Sequence, residues 1–351
     1  MKKINILTYC SWTSVGSILQ AFALTDFLKS TGFESIVWLE NWNRIINKNK
    51  PRGAKDYLKI VYRALLRGKI KASHDKRQSF VTSMMNVEYL ANDEAFRIMA
   101  TEHKNEVFLA GSDQIWNPER CNHIFFLDFA DKSRRISYAA SMGSTKLDEE
   151  KRELYKSWLS SFDSISVREK ACKKVLEELT EKEISVNIDP TFLVEREKWI
   201  ALEKEYPIKG KFILLYMLYW NSGFKDELIE LKRRTGLPIY CVCPDVSGVY
   251  ADHRLYDVGV EEFLWLVDHA EYVVTSSFHG AAFSIIFKKQ FAPLINPSQP
   301  SRIQNLLEVL SVSPLDIKEL GAGKRINYDG VDERIEKERQ RSSEYLKEAI
   351  G

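Results

Sequence analysis

The chain has 351 residues, of which 44% are hydrophobic and 28% are charged, and its formal net charge is +2. This length exceeds what one ordinary hydrophobic core organises and predicts two domains of a soluble globular protein. The small net charge gives no reason to expect a nucleic-acid partner. The five cysteines lack paired metal-ligand spacing, which predicts reduced thiols, a cytoplasmic location and no zinc site.

The first half of the chain alternates between strand and helix patterns. The opening residues, MKKINILTYCSW, contain an apolar run too short for a signal peptide and are typical of a first strand. A helix follows over 16–28, where apolar residues recur at helical spacing. The remaining pattern predicts a helix over 148–161 and strands over 35–39, 107–110, 136–140 and 164–167. No apolar stretch is long enough to span a bilayer.

An Asp-Pro step at 189–190 interrupts this series, because the residue before proline is disfavoured in a helix. A second series then predicts strands over 212–217, 238–242, 272–275 and 291–294, and helices over 225–234, 260–268, 281–287 and 303–310. Strands separated by helices form parallel sheets with right-handed crossovers.

The expected fold class is therefore α/β, with two Rossmann-like domains facing each other across a cleft. Residues 1–190 form the first domain, 191–330 form the second, and a charged helix over 331–351 returns to the first. Neither a G-x-G-x-x-G nor a G-x-x-x-x-G-K-[ST] fingerprint occurs, so a dinucleotide site and a P-loop are unsupported.

One region is locally basic and is predicted to be a helix with a mobile loop. Such regions are usually solvated helix faces, and a surface that meets anionic lipid is the alternative. The basic residues are Lys48, Lys50, Arg52, Lys55, Lys59, Arg63, Arg67, Lys69, Lys71, Lys76 and Arg77.

A histidine lies where a predicted strand gives way to a predicted helix. The strand over 272–275 is followed by Ser276, Ser277, Phe278, His279 and Gly280. This junction lies at the carboxyl edge of a parallel sheet, where ligands bind, and the free N–H groups and dipole of a helix start attract anions. The serines can cap the helix, the glycine permits close approach, and a histidine transfers protons near neutral pH. A core histidine bonded to a carbonyl is the simpler alternative.

Four other segments occur at predicted strand ends or helix starts. Separately, each is consistent with an ordinary cap, turn or ion pair, but their shared position predicts one site in the cleft. The segments are 13–17 with Gly16 and Ser17, 111–117 with Asp113, Gln114 and Trp116, 141–143, and 166–169 with Arg168.

The segments GSDQIWN, YAASMG, SVRE, DPTFL and SSFHGAAFSIIFKKQF, in this order, resemble the polysaccharide pyruvyl transferase family. The resemblance covers most of the chain and implies a GT-B-like fold. It implies transfer of the enolpyruvyl unit of phosphoenolpyruvate onto two hydroxyls of one sugar, which forms a pyruvate ketal and releases phosphate. Phosphoenolpyruvate would be a co-substrate, and no further cofactor or metal is expected.

The family's histidine corresponds to His279, and its arginine in the S-x-R-E segment corresponds to Arg168. Many relatives have arginine-leucine before the histidine, where this chain has Ser277 and Phe278. The acceptor would be a sugar of a surface polysaccharide or of its lipid-linked precursor. The sequence leaves open whether the acceptor is lipid-linked and whether the protein associates with the inner membrane surface.

The residue types suit this chemistry. Arg168 and the helix start beside His279 are predicted to bind the acidic groups of phosphoenolpyruvate, with Arg302 as a weaker candidate. His279 would donate a proton or hold the departing phosphate, and Asp113 would accept a hydroxyl proton or fix the acceptor. Trp116 could stack on a sugar in the first domain, although a buried indole is the expected alternative.

Two alternatives remain open. A glycosyltransferase of the same shape would use a nucleotide-sugar donor and would need a carboxylate for its ribose, a role open to Glu261 or Glu262. A non-catalytic protein of polysaccharide assembly would bind ligands in the cleft without reacting with them.

Overall fold

The first domain is built on a parallel sheet. The computed structural model describes residues 2–40, 65–120, 122–131, 133–144, 146–218, 222–242, 250–295 and 302–351. The sheet has the order β3-β2-β1-β4-β5, with β1 Lys3–Leu7, β2 Glu34–Glu40, β3 Val87–Leu90, β4 Val107–Ala110 and β5 Arg134–Ser137. Two further strands, β6 Ile165–Val167 and β7 Ile184–Val186, pair with each other and join the sheet through isolated bridges to β5 and the residues after it.

The helices of the first domain pack on both faces of this sheet, and one of them is central. α1 (Val15–Ser30) is buried along most of its length because its apolar residues run all the way round the helix. It contacts the first sheet on one side and the second domain on the other. The other helices are α2 Arg67–Met84, α3 Asp93–Glu102, α4 Glu149–Leu159 and α5 Lys170–Leu176.

The second domain repeats the architecture. Its parallel sheet has the order β10-β9-β8-β11-β12, with β8 Ile213–Tyr216, β9 Ile239–Val242, β10 His253–Arg254, β11 Tyr272–Thr275 and β12 Gln290–Pro293. Its helices are α6 Arg196–Ala201, α7 Lys225–Thr235, α8 Val260–His269, α9 Phe278–Ile286 and α10 Arg302–Leu310. Two separate parallel sheets with helical crossovers confirm the predicted fold class.

An apolar seam joins the two domains. Trp199 of α6 makes edge-on ring contacts with Phe22 of α1 at 5.6 Å and with Phe283 of α9 at 5.0 Å. All three side chains are buried in one continuous hydrophobic core that extends from the first sheet into the second domain. Large apolar interfaces of this kind hold domains in one arrangement more firmly than polar ones do.

Helix α2 adds polar contacts to this seam. Ser73 and Arg77 donate hydrogen bonds to the carbonyl of Val258, and Lys76 binds both carboxylate oxygens of Glu262 at 2.6 and 2.9 Å. Lys76 and Arg77, two members of the basic region, are therefore occupied by the second domain and do not form a free surface for lipid. Residues 48–63 of that region lie outside the described residues.

The last helix, α11 (Val331–Ile350), lies against both domains. Arg334 near its start donates to the carbonyl of Leu310, and Tyr345 near its end donates to the carbonyl of Ser137. Ser342 lies between these two residues. Its hydroxyl accepts hydrogen bonds from the Asn187 side-chain amide at 3.2 Å and from the Ile188 N–H at 3.3 Å. Among the described helices, α11 included, none is long and apolar enough to cross a membrane.

Candidate active site

A cavity of about 440 Å³ opens between the carboxyl ends of the two sheets, a size typical of small-molecule sites. Every lining segment of the first domain follows β1 or β4, and those of the second follow β8 or β11 or begin α10. The lining residues are Tyr9, Cys10, Ser11, Thr13, Ser14, Ser17, Asp113, Gln114, Arg120, Leu218, Ser277, Phe278, His279 and Arg302. The cavity therefore gathers most of the predicted segments.

Two helix starts face this cavity, and serine caps both of them. Ser14 accepts a hydrogen bond from the Ser17 N–H at 3.3 Å, and Ser277 accepts one from the Gly280 N–H at 3.3 Å. The other first-turn N–H groups lack intrahelical partners, and each helix dipole adds partial positive charge. Two such starts beside one cavity form a strong candidate site for an anion.

His279 is the second residue of α9, and its side chain is buried between the domains. The predicted helix began at 281, but the Ser277 cap begins it at Phe278 and places His279 in the first turn. The residue is only 5% exposed, so the junction between strand and helix is an interior position. Burial lowers its pKa, and the Arg168 and Arg302 cations add to this effect, while the Asp189 and Asp113 carboxylates oppose it.

Gly16 gives the imidazole its space. A Cβ added at Gly16 would lie 2.3 Å from Nδ1 of His279, which no real side chain could tolerate without movement. Gly16 is the second residue of α1, so its missing side chain lets the first turns of α1 and α9 pack together. Gly16 therefore lies next to the cavity and contacts His279, and its predicted contact with a substrate stays a prediction.

Asp113 and Gln114 lie beside the cavity on the loop after β4. Asp113 has a left-handed backbone with φ of 73°, and its Oδ1 accepts a hydrogen bond from the Gln114 N–H at 2.8 Å. Non-glycine residues held in this conformation cluster at functional sites. Oδ1 also lies 3.8 Å from Nη1 of Arg302, so a carboxylate and a guanidinium are adjacent at this wall.

Arg168 is not among the residues that line the cavity, and its predicted contact with phosphoenolpyruvate stays a prediction. Its Nη1 lies 2.5 Å from Oδ2 of Asp189, and its Nε lies 3.0 Å from Oε1 of Glu169. Its guanidinium carbon stands 4.1 Å from the centre of the Phe278 ring. Burial alone would lower the pKa of Arg168, but the two carboxylates raise it, so this guanidinium is a permanent buried charge next to the site.

Three other predicted residues have structural contacts in place of contacts with the cavity. Trp116 is fully buried, donates to the carbonyl of Phe125 at 3.0 Å, and stacks on Phe126, so it cannot stack on a sugar. Ser276 accepts a hydrogen bond from the Leu218 N–H at 3.0 Å. Gly280 packs on Thr275, whose Oγ1 would lie 2.2 Å from an added Cβ.

Two residues that the sequence analysis did not select belong to this region. Arg120 lines the cavity and is exposed. Asp189 was read only as a break before proline, yet its carboxylate is fully buried beside Arg168 and His279. Its place in the DPTFL segment was the available signal, since a polar residue within an apolar motif usually has a buried partner.

One group outside the cavity has the composition of a metal site. Glu203, Asp268 and His269 bring one ligand atom each within 4.8 Å of one another, within the part of the chain that the structure describes. Burial raises the pKa of Glu203 to about 7, and Asp268 adds to the rise. Lys289 and Arg196 oppose that rise, and their positive charges would also repel a cation. No feature of the cavity depends on this group.

Two Rossmann-like domains around a cleft place the chain in a well-populated structural class. The UDP-GlcNAc 2-epimerase of Methanocaldococcus jannaschii is similar with a TM-score of 0.56 and 12% identity, over 96% of this chain and 92% of that one. The S. aureus MnaA–UDP structure is similar with a TM-score of 0.57 and 14% identity, over 98% and 91% of the two chains. At these identities the likeness shows a shared GT-B-like fold alone.

The sequence gives the narrower assignment. The family model described as polysaccharide pyruvyl transferase matches residues 15–298. The match covers most of the chain, and the chain belongs to this family. No curated protein matches it.

Proposed function

We propose that the protein transfers the enolpyruvyl unit of phosphoenolpyruvate to two hydroxyls of one sugar, forming a pyruvate ketal and releasing phosphate. The sugar would belong to a surface polysaccharide or its lipid-linked precursor. The observation that carries the proposal is the cavity in which two capped helix starts surround His279. Such a cavity favours a small, strongly acidic substrate and supplies a group that transfers protons.

The acidic groups of the substrate would be bound by the helix starts of α1 and α9 together with Arg302. This chain has serine where many relatives have an arginine before the histidine, and Arg302 brings a guanidinium to the same wall. Its Cζ lies 5.9 Å from the centre of the Phe278 ring, on which Arg168 also packs. Of the two predicted arginines, Arg302 is the one that lines the cavity, which supports its contact with the substrate.

The reaction then needs two groups that exchange protons. In the proposed reaction, the His279 imidazolium gives a proton to the methylene carbon of phosphoenolpyruvate, and the central carbon becomes cationic. A sugar hydroxyl adds to that carbon while Asp113 accepts its proton. The carbon–oxygen bond to phosphate then breaks, a second hydroxyl adds to the resulting cation to close the ketal ring, and the proton of that hydroxyl goes to the released phosphate. The proton held by Asp113 returns to His279, so the cycle balances.

The glycosyltransferase alternative is less consistent with the site. Glu262 was one of two carboxylates that could have contacted a donor ribose, but Lys76 and the Gly259 N–H bind its oxygens. Glu261, the other one, does not line the cavity. The non-catalytic alternative leaves unexplained why His279 and Asp113 both lie at a cavity that attracts anions.

The proposal is tested by turnover. Purified protein is incubated with phosphoenolpyruvate and candidate sugars, free and lipid-linked, and phosphate release is measured beside the mass gain of a pyruvate ketal. His279→Gln should reduce kcat by about 100- to 10,000-fold, because glutamine cannot transfer the proton. His269→Gln, the same change outside the cavity, should retain parent activity. Near-parent turnover by a folded His279→Gln variant would exclude the proton-transfer role.

Arg302 has a separate test. Arg302→Ala should raise the KM for phosphoenolpyruvate about tenfold or more, since a charged contact with the substrate is lost. Arg302→Lys should recover only part of this loss, because a point charge cannot reproduce the planar fork. Equal KM values for all three proteins would remove Arg302 from the anion site.

A further inference from the structure

A buried carboxylate connects the two domains directly behind His279. Asp189 is the last residue before Pro190 and lies between β7 and the short turn Pro190–Phe192. Its Oδ1 accepts hydrogen bonds from the N–H and hydroxyl of Thr191, at 3.1 and 2.8 Å. These two bonds fix the plane of the carboxylate, so the direction of its second oxygen is determined by the fold.

That second oxygen, Oδ2, faces three groups. The Arg168 guanidinium lies 2.5 Å away, the Ser112 hydroxyl donates at 3.3 Å, and Nε2 of His279 lies 3.8 Å away. Nε2 is buried and has no hydrogen-bond partner among the residues that the structure describes, and the same is true of Nη2 of Arg168. Among the carboxylates that the structure describes, Asp189 is the one within 4 Å of Nε2.

The opposite side of the imidazole completes the arrangement. Nδ1 faces Gly16 of α1, and Ser14 and Ser17 on either side of that glycine line the cavity. A carboxylate at Nε2 would hold the proton there and leave Nδ1 directed toward an anion bound at the helix start. A carboxylate in this position also stabilises the imidazolium formed when the other nitrogen gains a proton.

We propose that Asp189 is a positioning residue, which orients His279 through Nε2 and stabilises its protonated form during the proposed transfer. This inference rests on the proposed function only for its catalytic consequence; the pairing of Asp189 with His279 can be tested without turnover. The other charged groups facing His279 are Asp113, Arg168 and Arg302. Asp189 differs from them because it is fixed by Thr191 and lies nearest to a ring nitrogen.

The test is a pH titration of His279, monitored by nuclear magnetic resonance of protein that carries labelled histidine nitrogens. His279→Gln identifies the signal among the six histidines. In Asp189→Asn the signal should titrate at lower pH than in the parent, because the carboxylate that favours the imidazolium is lost, and the preference for the Nε2–H form should weaken. The signals of the other histidines provide the internal control.

Asp189→Asn leaves Arg168 with a weaker partner, and an unpaired buried charge can prevent folding. The double variant Arg168→Met with Asp189→Asn removes both charges. In it, His279 should titrate at lower pH than in Arg168→Met alone. Unchanged titration in both comparisons would overturn the proposal.

Activity gives an independent readout. If the parent turns over phosphoenolpyruvate, Asp189→Asn should lower kcat at least tenfold with a smaller change in KM, and its pH–rate profile should shift with the histidine titration. If the parent shows no turnover, the proposed function fails while the titration still decides the Asp189 pairing. A parent-like pH–rate profile in an active Asp189→Asn variant would reject the positioning role.

Discussion

The starts of α1 and α9 have the same serine-capped backbone geometry, but they contribute differently to the site. Each follows a strand of its parallel sheet, each has a serine cap that accepts an N–H three residues later at 3.3 Å, and each faces the cavity. Their second residues differ: Gly16 in α1 and His279 in α9. The glycine leaves the space that the imidazole fills, so the catalytic candidate of one domain requires a missing side chain in the other.

The largest expected effect comes from removing this difference. Gly16→Ala should displace His279, because the new Cβ would lie 2.3 Å from Nδ1, and kcat should fall about 100-fold or more. Gly68 is also the second residue of its helix and has nothing within 4 Å of an added Cβ. Gly68→Ala should therefore retain full activity, and its helix should be slightly stabilised.

Activity assays and thermal unfolding of the two variants make the comparison. If Gly16→Ala were as active as Gly68→Ala, the packing of α1 against the imidazole would be irrelevant to function.

A smaller effect concerns the proton on the histidine. Burial lowers the pKa of His279 in the free protein, which favours the neutral imidazole. An anion bound at the helix starts should raise this pKa. At pH values between the pKa of His279 in the free protein and its pKa in the complex, the protein should therefore take up a proton when the anion binds, at most about one per site.

Calorimetry with inorganic phosphate, in buffers of different ionisation enthalpy, measures this uptake. His279→Gln should bind phosphate without proton uptake. In the parent, proton uptake should disappear at pH values below the pKa of His279 in the free protein. Equal proton uptake by the parent and His279→Gln would assign the proton to another group.

The smallest expected effect tests whether the two caps are equivalent. Ser14→Ala and Ser277→Ala should each lower the free energy of unfolding by about 1 kcal/mol, the usual cost of losing a side-chain cap. Asn92 caps α3 through the Ala95 N–H at 3.0 Å and lies outside the cavity lining. Asn92→Ala should cost a similar amount.

Denaturant unfolding and phosphate binding separate the two roles of the caps. Only the serine variants should bind phosphate more weakly, because only their helix starts face the cavity. If Asn92→Ala also lost phosphate binding, the weaker binding of the serine variants would be a result of general destabilisation and not of their position at the cavity.

Most of the fold could be predicted because strand and helix periods are local signals. The strand over 107–110 and the helix start at 225 were placed as observed, and the strand over 272–275 matches β11. β3, β7 and β10 are not predicted because each is short, incompletely buried and only weakly patterned. The start of α9 was placed three residues late, because Phe278 to Gly280 look like a loop until the Ser277 cap is seen.

The site was less predictable, since sequence position shows which strand end a residue follows and not what it contacts. His279, Asp113 and Arg302 reach the cavity, whereas the Arg168 guanidinium is drawn away by Asp189 and Glu169. Trp116 follows the same strand as Asp113 but turns into the opposite core cluster. The direction of each side chain depends on partners that are distant in the chain, and no local sequence pattern contains that information.

The chain passes between the two sheets twice, once between β7 and β8 and once along α11, whose ends bind opposite domains. A single link would allow one domain to swing in any direction, but two links leave chiefly one rotation, about the line that joins them. Any widening of the cleft should therefore follow one hinge axis. Asp189 follows β7 at the first link and His279 belongs to α9 of the second domain, so a rotation that admits a substrate would change the distance between them.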